Sequence, residues 1–359
     1  MDFVTPFSGS YEHKDVLFLL TQVDVEITPI DLKEAMIQSG EKHYSEMISR
    51  EAEPSEFHLE IYEKSLTSNG RRLASNVVTL ARSLAAQLSD TPIVLVSLVR
   101  AGVPLGVMLH QTLTKRGVKS HHYGVSIIRD RGLDEAALNY IEAKHGTKGV
   151  VFVDGWTGKG AISNELMSSL KGRSGYPEKP RLVVLADLCG RAWMSASNED
   201  WLIPFGIMGA PVSGLVSRSI WSESGAHGCI LCDHLLAYDR SQELVKKVGD
   251  LVDKLDWSNF PCVATNTLNT STLRSESESV VTRIANEYHI TNTNRIKPGI
   301  AEATRAVLRR IPEHVLVRSK KDPDVALLVH LANEKKVNVV EVGDTIGQYR
   351  AVTIIKKVI

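Results

Sequence analysis

The feature that most constrains this chain is an alternation between residues 91 and 190. "TPIVLVSLV" (91–99) is a short run of aliphatic and β-branched residues, as expected of a strand buried on both faces. A Gly-containing turn leads into "GVPLGVMLHQTLTKRG" (102–117), which is helical in its spacing and stops on glycine. The cycle repeats with a strand in "SHHYGVSII" (120–128), a helix in "LDEAALNYIEAKHG" (133–146) and a strand in "GVVFVDG" (149–155). It closes with a helix in "GAISNELMSSLKG" (160–172) and a strand in "RLVVLADLCG" (181–190). Strands joined through helices by short turns predict an α/β fold with a parallel sheet covered on both faces.

At 359 residues the chain is long enough for two or three domains. Residues 28–40 predict a short helix, and 61–88 a longer one with Gly70 as a break. Residues 201–239 follow no regular pattern, and 244–257 form an amphipathic helix. The Ser/Thr/Asn-rich stretch 265–279 predicts a linker. Beyond it, shorter helix and strand signals predict a compact α/β domain over 280–359, leaving 1–264 as the large domain.

Composition excludes some classes. Formal net charge is zero, so whole-molecule charge points to neither nucleic acid nor membrane. Four cysteines fit a reducing compartment better than a disulfide framework. The N-terminus has no signal-peptide pattern and no apolar run reaches membrane-spanning length, so a cytoplasmic protein is expected.

The loop in "VVFVDGWTGKGAI" (150–162) invites a phosphate. It lacks the spacing and hydroxyl of a nucleotide P-loop and the glycine order of a dinucleotide fingerprint. What remains is a strand, Asp154, a glycine turn and a helix, with amides of about residues 157–161 free to bind an anion. A bare βα turn with a capping acid is the plainer alternative. Arg100, Ala101 and Gly102 form a second such turn after an earlier strand, and Arg129 and Arg131 stand just beyond a third. Two anion sites, an acid suited to a sugar diol and arginines able to close as a lid together suit phosphoribosyl pyrophosphate.

These motifs resemble the type I phosphoribosyltransferases. The resemblance implies that Asp154, Gly155, Thr157, Gly158, Lys159, Gly160 and Ala161 hold ribose 5-phosphate, and that Arg100, Ala101 and Gly102 hold pyrophosphate. It implies that Asp154, Arg129 and Arg131 serve catalysis, with Mg²⁺ carried on the diphosphate and no protein-held metal. Gly155 stands where that family has a second acid. The Gly-rich segment 204–219 is the candidate for binding a base-like acceptor, through Phe205, Gly206, Ser213, Gly214, Ser217 and Arg218; a structural insertion is the alternative. A non-catalytic binder of phosphoribosyl pyrophosphate or a nucleotide is a rival reading, and a homodimer is an expectation from the fold.

More narrowly, "GSYEHKDVLFLL", "HYSEMISRE" and "FGIMGAPVSGLVSRS" resemble a bacterial family of tellurite-resistance stress operons. In it such a domain is fused to a C-terminal Pelota-type domain and is predicted to make a ribonucleoside. Some of its members carry a cysteine-protease label. "KPGIAEATRAVLRR" is similar to the L7Ae/Pelota RNA-binding motif, which implies structured RNA as a partner through Gly299, Glu302, Thr304 and Arg305.

Finally, "AHGCILCDH" packs His227, Cys229, Cys232 and His234 into eight residues. Three readings stand: buried small core residues, a zinc site, or a nucleophilic thiol with a histidine base. The last makes the chain a cysteine hydrolase.

Overall fold

The computed structural model describes residues 5–263 and 270–357. Six strands, β1 (Leu17–Phe18), β2 (Ile93–Leu98), β3 (Ser120–Val125), β4 (Val150–Val153), β5 (Leu182–Asp187) and β6 (Met194–Ser197), lie side by side in the order β1-β3-β2-β4-β5-β6. A seventh, Trp156–Thr157, adds to β5, and every pairing in this sheet is parallel. Every residue of β2, β4 and β5 is buried, which explains their unbroken apolar runs.

Helix α1 (Ile30–Ser39) lies apart from the sheet; α2 (Glu56–Gln87), α3 (Gly102–Lys115), α4 (Glu135–His145) and α5 (Ala161–Leu170) flank it, and α6 (Ser241–Val252) packs on α2 and α3. Helix α2 is unbroken, contrary to the expected stop at Gly70. That glycine is buried against α6, where a Cβ would lie 3.2 Å from Leu251 Cδ1, so it serves close packing.

The chain leaves β2 for β3 on one side and returns as β4 on the other. The connections from β2 and β4 therefore part at their C-terminal ends and leave a crevice, where ligands bind in sheets of this kind. Gly102 and Gly155 let the two turns approach: a Cβ on Gly102 would overlap the Val153 carbonyl, and one on Gly155 would lie 3.2 Å from the Ala101 carbonyl oxygen.

The C-terminal sheet holds β7 (Ile296–Pro298), β8 (Pro312–Val317), β9 (Asn338–Glu341) and β10 (Ala351–Ile355) in the order β7-β10-β8-β9. Only β8 with β9 is parallel. It is accompanied by α7 (Thr270–Glu287), α8 (Ile300–Arg309) and α9 (Ala326–Glu334). Helix α7 takes up the stretch read as a linker from Thr270 onward; residues 265–269 lie outside the described residues.

The two domains pack tightly. Their buried apolar residues form one continuous core, which includes Trp156 and Phe205 on one side and Ile300 and Ala301 on the other. Arg310, just beyond α8, forms a bidentate ion pair with the fully buried Glu34 of α1. Gln348 donates to the Leu188 carbonyl at 2.8 Å and Tyr349 to the Gly158 carbonyl at 2.9 Å. The expected α/β architecture, a parallel sheet with a smaller α/β domain, is what the molecule has. No helix among the described residues is long and apolar enough to cross a membrane.

Candidate active site

A cavity of about 600 Å³ opens at the C-terminal ends of β2 and β4. The turns after both strands line it, with Arg100, Ala101, Asp154 and Thr157 to Ala161. The other walls come from α1, from residues 48–54, from the irregular segment 207–234, and from Lys297, Glu302, Arg305, Arg309 and Arg310 of the C-terminal domain. The cavity is therefore built by both domains.

Asp154 is one of the lining residues. Burial pushes its carboxyl up to about 7, although the Gly155 N–H donates to Oδ1 at 2.8 Å. Arg100 is spoken for: its side chain is 2% exposed, it is ion-paired with Glu51, and it donates to the Val216 carbonyl at 3.2 Å. Glu51 also accepts the Ala210 N–H at 2.8 Å. Burial raises the Glu51 carboxyl, but Arg100 and Arg309 outweigh it and hold the group at about 2.

The glycine turn is equally occupied. Thr157 is buried and donates to Asp187 at 2.6 Å. A Cβ on Gly158 would overlap the Glu302 carboxylate and lie 3.3 Å from the Pro298 carbonyl oxygen. Lys159 reaches the Thr293 carbonyl, and that of Ile296 at 3.0 Å. The C-terminal domain thus covers the side of the turn read as an open phosphate cradle.

Arg129 and Arg131 do not line the cavity. Arg129 pairs with Asp130 and lies over Tyr44, 5.2 Å from its ring centre; Arg131 pairs with Glu46 and lies over Trp221 at 3.8 Å. These contacts hold both guanidiniums in place, where the sequence suggested a mobile lid.

Of the acceptor candidates, Ser217 and Arg218 line the cavity. Phe205 and Gly206 are packed between the domains, where a Cβ on Gly206 would lie 3.1 Å from that of Ala301. Ser213 donates to the Gly209 carbonyl at 2.6 Å, and Gly214, with φ +74°, donates its N–H to Ser241 at 3.0 Å.

The residues matched to RNA face the large domain. Gly299 has φ +92°, Thr304 is buried, Arg305 lies 5.4 Å from the centre of the Trp156 ring, and Glu302 lines the cavity.

The Cys/His cluster divides. His227 bonds to Ser126 at 2.7 Å, and its backbone N–H donates to Asp134 at 2.6 Å. Cys229 is fully buried, and burial pushes its thiol up to about 12. Cys232 and His234 instead line the cavity. Burial raises the Cys232 thiol to about 11, against the pull of the Arg100 guanidinium. His234 Nε2 meets the Glu51 backbone carbonyl at 2.9 Å. A carbonyl only accepts, so Nε2 carries the hydrogen and Nδ1 is the basic nitrogen of the neutral ring. Among the described residues no group of three or more His, Cys, Asp or Glu is placed to hold a metal.

Sequence reasoning missed Glu51, Lys33 and Lys297, and for Arg309 and Arg310 it favoured a capped surface helix where both line the cavity. Glu51 falls within "HYSEMISRE", a stretch that carried resemblance but no chemical role. The cations sit in ordinary helix and strand contexts that signal nothing alone.

Comparison with known proteins gives two family matches. Residues 9–249 match the family described as tellurite-like stress resistance cysteine protease StiP, and residues 275–357 match the PELOTA RNA binding domain. The chain is 48% identical over 366 residues to a protein of Acinetobacter baylyi named cysteine protease StiP, covering 98% of this chain and 94% of that one. No solved structure matches. These findings correct the transferase reading. Both the family and the relative are named for cysteine proteolysis, so transfer of ribose 5-phosphate from phosphoribosyl pyrophosphate to a base is withdrawn, and the Mg²⁺ expectation loses its basis. The link to tellurite-type stress and the Pelota-like module stand.

Proposed function

The chain belongs to the StiP family of tellurite-like stress resistance cysteine proteases, and from that membership and the cavity we propose that it is a cysteine hydrolase with Cys232 as nucleophile and His234 as base. The observation that carries this reading is that Cys232 and His234 both line the cavity, whereas Cys189 and Cys229 do not. As sulfur attacks a substrate carbonyl carbon, the thiol proton passes to His234 Nδ1. The C–N bond then breaks, the leaving amine takes that proton, and water hydrolyses the thioester to restore the thiol. With its thiol raised to about 11, Cys232 rests protonated at neutral pH and needs the histidine during attack.

The test is hydrolysis of fluorescein-labelled casein and a peptide panel by the full chain. Cys232→Ser and His234→Ala should each abolish turnover, and Cys229→Ser should retain it. Turnover that survives Cys232→Ser removes this assignment.

A second reading concerns the C-terminal module, which matches an RNA-binding domain. Because α8 faces the large domain, RNA would meet the exposed Lys320 and Lys321 beyond β8. Lys320→Ala with Lys321→Ala should weaken a mobility shift with structured RNA, while Arg305→Ala leaves it unchanged. The reverse pattern would refute this placement.

A further inference from the structure

The cavity lining holds more positive charge than the protein neutralises. Lysines and arginines lining the cavity are more than twice as many as aspartates and glutamates. Some are already used: Arg100 by Glu51, Arg310 by Glu34, Lys159 by backbone carbonyls. Lys33, Lys297 and Arg309 are not. All three line the cavity, and none makes a side-chain hydrogen bond or ion pair with a described residue.

Lys33 is the sharpest case, because it is only 6% exposed. Desolvation lowers its ammonium to about 7, and Arg218 and Arg310 push the same way. Burial likewise lowers Lys297 and Arg309, the latter repelled further by Arg305 and Arg100. Of the carboxylates that act on them, Glu34 is already paired with Arg310 and Glu51 with Arg100, which leaves Glu302 beside Lys297. Like charges gathered around one cavity without partners of their own oppose folding. Such a cluster in a concave site is the signature of a binding function.

We infer that Lys33, Lys297 and Arg309 form a site for a compact anion bearing at least two oxyanion groups, held between α1 and the C-terminal domain. Lys33 comes from α1, Lys297 from β7 and Arg309 from the last turn of α8, so the ligand would tie the two domains together. The site goes beyond the hydrolase reading and requires neither Cys232 nor His234. Its oxyanions could be carboxylates of an acidic peptide or phosphates of a free ion; the chemistry recognised is the same.

The experiment is calorimetry on the full chain with three probes: triglutamate, inorganic diphosphate, and triglutamine as the neutral control. Triglutamate or diphosphate should bind, weaken with added salt, and lose at least tenfold in affinity in Lys297→Met and in Arg309→Met. Triglutamate alone would identify a peptide source and diphosphate alone a free oxyanion. A thermal melt guards against misfolding, because removing an unpaired, half-buried cation should leave the unliganded melting temperature unchanged or raised. Binding of neither anion, or binding that both variants leave intact, overturns the site. Cys232→Ser separates the two proposals: it should keep anion binding whether or not the hydrolase reading survives.

Discussion

Asp200 caps α8 from across the domain boundary: its Oδ1 accepts the Ile300 N–H at 3.0 Å, and its Oδ2 accepts the Arg350 N–H at 2.8 Å. Burial raises this carboxyl to about 6, so it is ionised at neutral pH. A carboxylate therefore occupies the helix start where the resemblance to Pelota domains placed RNA. The motif is kept as a sequence and used inside the molecule as a joint between domains.

Removing that cap should loosen the joint. Asp200→Ala leaves the buried N–H of Ile300 and the half-buried N–H of Arg350 without their acceptor, at a cost of about 1–3 kcal/mol. Hydrogen exchange at these two amides should accelerate, while exchange in β2 and β4 stays slow. Unchanged protection at Ile300 would mean that the apolar interface alone holds α8.

Much of the fold was readable in the chain, for a physical reason. A parallel strand buried on both faces has no polar alternation, so "IVLV" and "VVFV" announce β2 and β4 without ambiguity. Their adjacency placed Arg100 and Asp154 at one crevice. What could not be read was which partners those groups already have. Glu51 lies far from Arg100 in sequence, and Glu302 reaches Gly158 from another domain. An open cradle and a filled one have the same local sequence. The same limit hid the separation of Cys229 from Cys232: both are buried, and which of them lines the cavity is set by tertiary packing.

The approach of the two turns gives a prediction on the fold itself. In Gly102→Ala the new methyl would overlap the Val153 carbonyl, which belongs to the backbone and has little room to yield. Overpacking of this kind costs about 1–3 kcal/mol. Chemical denaturation should register that loss, and Gly40→Ala is a useful contrast. No atom lies within 4 Å of a Cβ there, so its cost comes from its φ of +78° alone.

Asp154 sets a pH dependence whose sign is fixed. Its carboxyl rises from 3.8 to about 7, so the folded state holds the proton more tightly than the unfolded chain. The stability this contributes is complete below the unfolded value of 3.8 and is lost as pH rises through about 7. Asp154→Asn mimics the protonated form. It should melt above the parent at pH 8, by an amount on the order of a few kcal/mol at most, with the difference gone near pH 4. A variant no more stable at pH 8 would show that the carboxylate is better solvated than its burial implies.

Glu51 works in the opposite direction. Its carboxyl is held at about 2, below the ordinary 4.5, so its stabilising share is present above 4.5 and lost as pH falls through about 2. Arg100→Met removes its closest partner and leaves a half-buried carboxylate that still feels Arg309, at a cost below the roughly 3–5 kcal/mol of a fully buried pair at neutral pH. Adding Glu51→Gln should recover much of that loss, since the amide carries no charge and its oxygen can still accept the Ala210 N–H. Urea unfolding of the two single variants and the double variant measures the coupling. Additive losses would show that the pair contributes nothing jointly, and would release Arg100 for the cavity as a free cation.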